Sequence, residues 1–170
     1  LWGIAEPQDF GASRVNRGIS GQTTPQMLLR FKQDVLALKP KAVHILAGVN
    51  DIAGNTGPTT LEDIENNIAS MVELAKAHGV QVILATPLPA GKFTWAPQLT
   101  PGPQVIQYAE WVRRYAAAQN LILADYYPVL ATPDGALKPE LGPDGVHPNK
   151  DGYALMRPIT QAAIAEALKR

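Results

Sequence analysis

The sequence has no cysteine and only three histidines. Without cysteine there are no disulfides, no thiolate zinc sites and no cysteine nucleophile. No apolar run reaches the length a membrane-spanning helix needs. Charge is sparse and balanced, with 15 Lys+Arg against 15 Asp+Glu in 170 residues and a formal net charge of zero. Nucleic acids and anionic membranes select clustered positive charge, so neither is an expected partner. The opening segment LWGIAEPQDF has no basic stretch leading into an apolar core, so no signal peptide is visible there. It also has no initiator methionine, and we expect residues ahead of Leu1. The length suits one domain, residues 1–170, able to bury a core of its own.

What is present alternates between two periods. AVHILAG (Ala42–Gly48) and VQVILA (Val80–Ala85) are short apolar runs rich in β-branched residues, the pattern of strands buried on both faces. RVNRG (Arg14–Gly18) and LILAD (Leu121–Asp125) are weaker strand candidates. Between them lie helical patterns. Thr24 is the expected N-cap of a helix with Pro25 at its first position, followed by a stripe of Leu28, Phe31, Val35 and Leu38 and a stop at Lys39-Pro40. Thr59 and Glu62 have capping-box spacing ahead of Leu61, Ile64, Ile68, Met71 and Ala75, with Gly79 as the C-terminal cap. Val105, Ala109, Val112 and Ala116 form a third stripe, and a last helix is expected from about Asp151 to Leu168, kinked at Pro158. Strand, helix, strand, helix implies an α/β fold with a parallel sheet.

In such sheets, ligands bind beyond the carboxyl ends of the strands. Three glycine-containing loops belong there: GISGQTT (Gly18–Thr24), GVNDIAGN (Gly48–Asn55) and DGVHPN (Asp144–Asn149). A fourth segment, TPLPAGKFTWAPQLTPGP (Thr86–Pro103), is proline-rich and carries Phe93 and Trp95. It reads either as a rigid surface loop or as one wall of a pocket.

The residue types in these loops suit acyl transfer. A histidine acting as general base needs a carboxylate to hold one ring nitrogen while the other faces a nucleophile. Asp144 can reach back to His147 within one tight loop, and Pro148 keeps His147 extended, out of the helix that follows. A tetrahedral intermediate also needs donors aimed at its oxyanion, and the Gly21 N–H and the Asn50 side-chain amide suit that task. A divalent-metal site of Asp144, His147 and Asp151 is the weaker reading, because His44 lies in a strand pattern and His78 at a helix end, leaving no second imidazole.

NRGISGQTT, LAGVNDIAGN and DGVHPN, in that order along nearly the whole chain, resemble the second, third and fifth blocks of the SGNH, or GDSL, hydrolases. The resemblance implies a flavodoxin-like three-layer α/β/α sandwich. It also implies Gly21 and Asn50 as oxyanion donors, Asp144 and His147 as two members of a triad, and no metal or organic cofactor. The substrate would be a small-molecule or carbohydrate ester, with short acyl chains favoured because no long apolar lid is apparent. One departure is plain: the Gly-Asp-Ser block that carries the family's nucleophilic serine does not occur in this sequence. We expect that serine just upstream of Leu1, on a first central strand missing from this chain, between the strands ending near Arg17 and Leu46. Ser13, Ser20 and Ser70 are the alternatives within the chain. Two further readings stay open: a catalytically dead relative, and a carbohydrate-binding module of the same fold using Trp2, Phe93 and Trp95.

Overall fold

The structure, a computed structural model, describes residues 2–11 and 13–170. Its elements run α1 (Trp2–Ala5), α2 (Thr24–Asp34), β1 (Ala42–Ile45), α3 (Val49–Ile52), α4 (Leu61–Ala77), β2 (Gln81–Ala85), α5 (Gly102–Ala118), β3 (Ile122–Ala124), α6 (Tyr127–Leu130) and α7 (Lys150–Ala167). The strands form a parallel sheet in the order β1-β2-β3, with Val43 opposite Val82 and Leu84 opposite Leu123.

Strand alternation divides the core between two faces. Val82 and Leu84 point to a cluster built with Phe31 of α2, Ile64, Ile68 and Met71 of α4, and Val112 and Ala116 of α5. Ile83 and Ala85 point the other way, to Met156 and Ala163 of α7 and Leu130 of α6. Because successive side chains of a strand face opposite sides, a continuous apolar run such as VILA fills both layers at once. The result is a three-layer α/β/α arrangement around a parallel sheet.

Several local expectations need correction. Arg14–Gly18 is not a strand: Val15 is exposed, and the Asn16 side chain accepts the Gly18 N–H at 2.9 Å, drawing the backbone into an Asx turn instead of a ladder. The N-cap of α2 is Thr23 rather than Thr24, because Thr24 gives both its N–H and its hydroxyl to Asp51. The capping box of α4 is Thr60 with Asp63, not Thr59 with Glu62; Asp63 N–H donates to Thr60 Oγ1 at 3.1 Å, and Thr60 N–H donates back to Asp63 Oδ2 at 3.0 Å. Leu38 leaves the apolar stripe of α2, which ends at Asp34, and is exposed. Pro158 lies inside α7.

Candidate active site

The site is assembled where the chain leaves β1 and β2 and where it enters α7. After β1, Gly48 turns at φ +104°, and a Cβ there would stand 2.4 Å from the ring of buried Tyr108. Only glycine fits that bend. It starts α3, a single turn of helix that carries Asn50 and Asp51.

These two neighbours do different things. Asp51 is buried, and both its oxygens accept the Thr24 N–H, at 2.9 and 3.0 Å, while Oδ1 also accepts the Thr24 hydroxyl at 2.5 Å. Burial raises its pKa and the Thr24 bonds oppose that rise. Asp51 therefore clamps the start of α2 to α3, fixing the loop before α2 relative to Asn50. Asn50 reaches the same loop and donates to the Gln22 carbonyl at 2.9 Å. A carboxamide carries a second N–H, so one donor is not used by that bond. Gly21, at φ +79°, forms the tip of the adjoining turn, and its carbonyl accepts from the Asn55 side chain at 2.9 Å. Three contacts thus hold the Gly21 and Asn50 loops edge to edge.

The loop before α7 is organised by Asp144. Gly145 reverses the chain at φ +79°. Asp144 Oδ1 then accepts the N–H groups of Val146 and His147, at 2.9 and 2.8 Å, while Oδ2 lies 2.7 Å from Nδ1 of His147. Partial burial alone would raise the Asp144 pKa, but the amides and ring of this loop outweigh it and hold the carboxyl below its usual range. An ionised Asp144 keeps the proton of the imidazole on Nδ1, which leaves Nε2 as the basic nitrogen. Asn149 then caps α7 by accepting the Gly152 N–H at 3.0 Å, so the loop is pinned at both ends.

An apolar cluster joins the loops. Val146, next to His147, packs with Ala53, Phe93 and Val105, and Val49 and Ile52 of α3 lie against the same group. The segment 86–103 is packed onto the body through part of its length. Thr86 is buried, its hydroxyl oxygen accepting the Tyr126 and Tyr127 N–H groups, and Phe93 is buried. Trp95 is 49% exposed and lies over His147, with ring centroids 6.3 Å apart and planes 26° apart.

Other candidates fall elsewhere. Trp2 packs with the cluster under α7, 5.3 Å from the Tyr153 ring and with Nε1 donating to Asp9, so it is not part of an aromatic platform with Trp95. Ser70 gives its hydroxyl to the Asn66 carbonyl within α4. Ser20 is an exposed residue of the Gly21 turn, and Ser13 lies in the short turn closed by Gly11 and Arg14. Two features escaped the sequence reading. Asp51 as a clamp has only a faint signal, an acid after a strand and a Thr-Thr pair awaiting a partner. The Trp95–His147 stacking has none, since it depends on where two distant loops meet.

The sequence profile of the GDSL-like lipase/acylhydrolase family matches residues 5–155. The chain belongs to this family. A crystal structure of a GDSL-like lipase from Bacteroides thetaiotaomicron superposes with a TM-score of 0.94 at 40% identity, over 98% of this chain and 82% of that one. The acetylxylan esterase of Geobacillus stearothermophilus is 27% identical over 157 residues, 87% of this chain and 70% of the relative. Its structure, at a TM-score of 0.72, has been solved as catalytic mutants, one with a histidine and one with a serine replaced by alanine. A lipoprotein of Bacillus subtilis is 38% identical over 78 residues, which is 44% of this chain but only 32% of that protein.

Proposed function

We propose that this chain belongs to a serine ester hydrolase acting on short-chain or carbohydrate acetyl esters. The attacking serine is that of a Gly-Asp-Ser block, expected ahead of Leu1. His147 Nε2 takes the proton of the serine hydroxyl as its oxygen adds to the ester carbonyl, and Asp144 holds the imidazole and stabilises the imidazolium that forms. The Gly21 N–H and the Asn50 amide donate to the oxyanion. The intermediate then expels the alcohol, which takes its proton from His147. Water, deprotonated by the same imidazole, attacks the acyl-enzyme and releases the carboxylate.

The observation that carries this reading is the 2.7 Å contact between Asp144 and His147, in a loop packed through Val146 against the helix bearing Asn50. The family supports ester cleavage, and the acetylxylan esterase supports an acetylated sugar as the ester. The test is hydrolysis of 4-nitrophenyl acetate by the polypeptide extended to include the Gly-Asp-Ser block. Turnover abolished by His147→Ala is expected. A folded, extended protein without turnover would favour the catalytically dead alternative.

A further inference from the structure

Trp95 is a large aromatic left half exposed beside a candidate catalytic base. Tryptophan is highly buried on average and is enriched at binding surfaces, where an apolar body and a polar N–H are both of use. Here the ring is not loose. Phe93, fully buried, backs it at a centroid distance of 5.2 Å, and His147 lies along it. The indole is therefore a rigid apolar plate, half exposed and stacked beside the imidazole.

A groove of about 400 Å³ runs between segment 96–104 and the residues that follow Asn50; Trp95 and His147 do not line it, but Ala96, which does, shares an apolar cluster with Phe93 and Val146, their neighbours. Gln98, Gln104 and Thr59 line it beside the apolar Pro58 and Leu99. Among the described residues, the one charged residue that lines it is Asp51, which is buried and already bound to Thr24. A fatty chain would strip water from the two carboxamides with nothing to pair them. An anionic ligand would find no cation along the groove. A chain of uncharged sugars fits both features, with C–H faces that stack on an indole and hydroxyls that pair with amides and hydroxyls.

We infer that Trp95 and the groove from Ala96 to Gln104 form a subsite for a neutral oligosaccharide. Trp95 stacks the sugar nearest His147, and Gln98, Gln104 and Thr59 hold the units beyond it. The inference rests on the ester-hydrolase reading for where the ester lies, but binding itself needs no serine. The subsite is a specificity device that sets which alcohol half the ester carries.

The experiment is calorimetric titration of the polypeptide extended to include the Gly-Asp-Ser block with unacetylated xylohexaose, cellohexaose and mannohexaose. At least one should bind. Trp95→Ala should weaken that binding about tenfold, the size of one lost aromatic stacking contact, and Trp95→Phe should restore much of it. Gln98→Ala with Gln104→Ala should weaken it further, and in the unaltered protein the bound sugar should shift the Trp95 indole and Gln104 amide resonances. Binding to none of the three, or binding indifferent to Trp95→Ala, overturns the subsite. Hydrolysis of 4-nitrophenyl acetate, which has no sugar, reads the ester-hydrolase proposal separately, so one can fail while the other stands.

Discussion

Two histidines of this protein have opposite surroundings and, in our account, opposite jobs. His44 lies on β1 beneath Trp2, and its Nε2 is 2.9 Å from the Tyr126 hydroxyl, which lies 2.6 Å from Thr160 Oγ1, itself a donor to the Met156 carbonyl at 3.0 Å. Its partner is neutral, and burial lowers its pKa to about 4. His147 stands in an open loop with a carboxylate at 2.7 Å. Each ring has one polar partner at hydrogen-bond distance. What separates them is the partner's charge and access to solvent. A neutral partner under a sheet disfavours the imidazolium, whereas a carboxylate at an open site stabilises it when a proton arrives.

The sharpest way to break the comparison is to remove each ring in turn, in protein carrying the Gly-Asp-Ser block. His147→Ala should cost roughly 10⁴–10⁶-fold in kcat, the scale of losing a triad base, with an unchanged unfolding midpoint. His44→Ala should leave kcat for 4-nitrophenyl acetate nearly intact and lower the midpoint. Equal catalytic losses in both variants would erase the distinction.

Asn50→Ala comes next. Loss of one oxyanion donor should lower kcat by about 10²–10³-fold, with KM little changed because the bond strengthens in the transition state. Survival of turnover within a factor of two would reduce Asn50 to a brace for the Gln22 carbonyl.

The loops could be read before the structure because their residue types are rare in combination. His147 and Asp144 lie three positions apart, so their contact is a local matter that sequence alone contains. The strands β1 and β2 were legible because each is a short, mostly apolar run containing β-branched residues. Where the reading slipped, a distant partner had intervened. Thr24 has every property of an N-cap, but Asp51, 27 positions away, takes its hydroxyl and its N–H, so Thr23 caps instead. Arg14–Gly18 has a β-branched residue but also Asn16, whose side chain captured the backbone first. Asp51 as a clamp and Trp95 as a plate beside His147 are products of packing between loops, and no spacing rule encodes them.

The pH dependence of stability sharpens the other half of the comparison. His44 has a folded pKa of about 4 against 6.5 for the free side chain, so between those values the unfolded chain binds the extra proton. Stability should therefore rise as pH climbs from about 4 to 6.5, by at most roughly 3 kcal/mol from this group, and its contribution should be complete above that window. Denaturant melts of the wild type and His44→Gln across this range measure it; a wild-type slope no steeper than the variant's would contradict the assignment. The smallest effect expected is that of Tyr126→Phe, which removes the hydroxyl between His44 and Thr160. It should cost about 1 kcal/mol of stability, leave turnover untouched and raise the apparent His44 pKa little, because burial dominates that shift.

The central claim is that His147, held by Asp144, activates a serine from the Gly-Asp-Ser block. Labelling with a fluorophosphonate, followed by peptide mapping, tests it most directly. In the extended protein we predict a single adduct on that serine, with labelling that quickens as pH rises and falls away in His147→Ala. The 170-residue chain alone should take no label. Labelling of Ser13, Ser20 or Ser70, or labelling of the Gly-Asp-Ser serine at an undiminished rate in His147→Ala, would contradict the account.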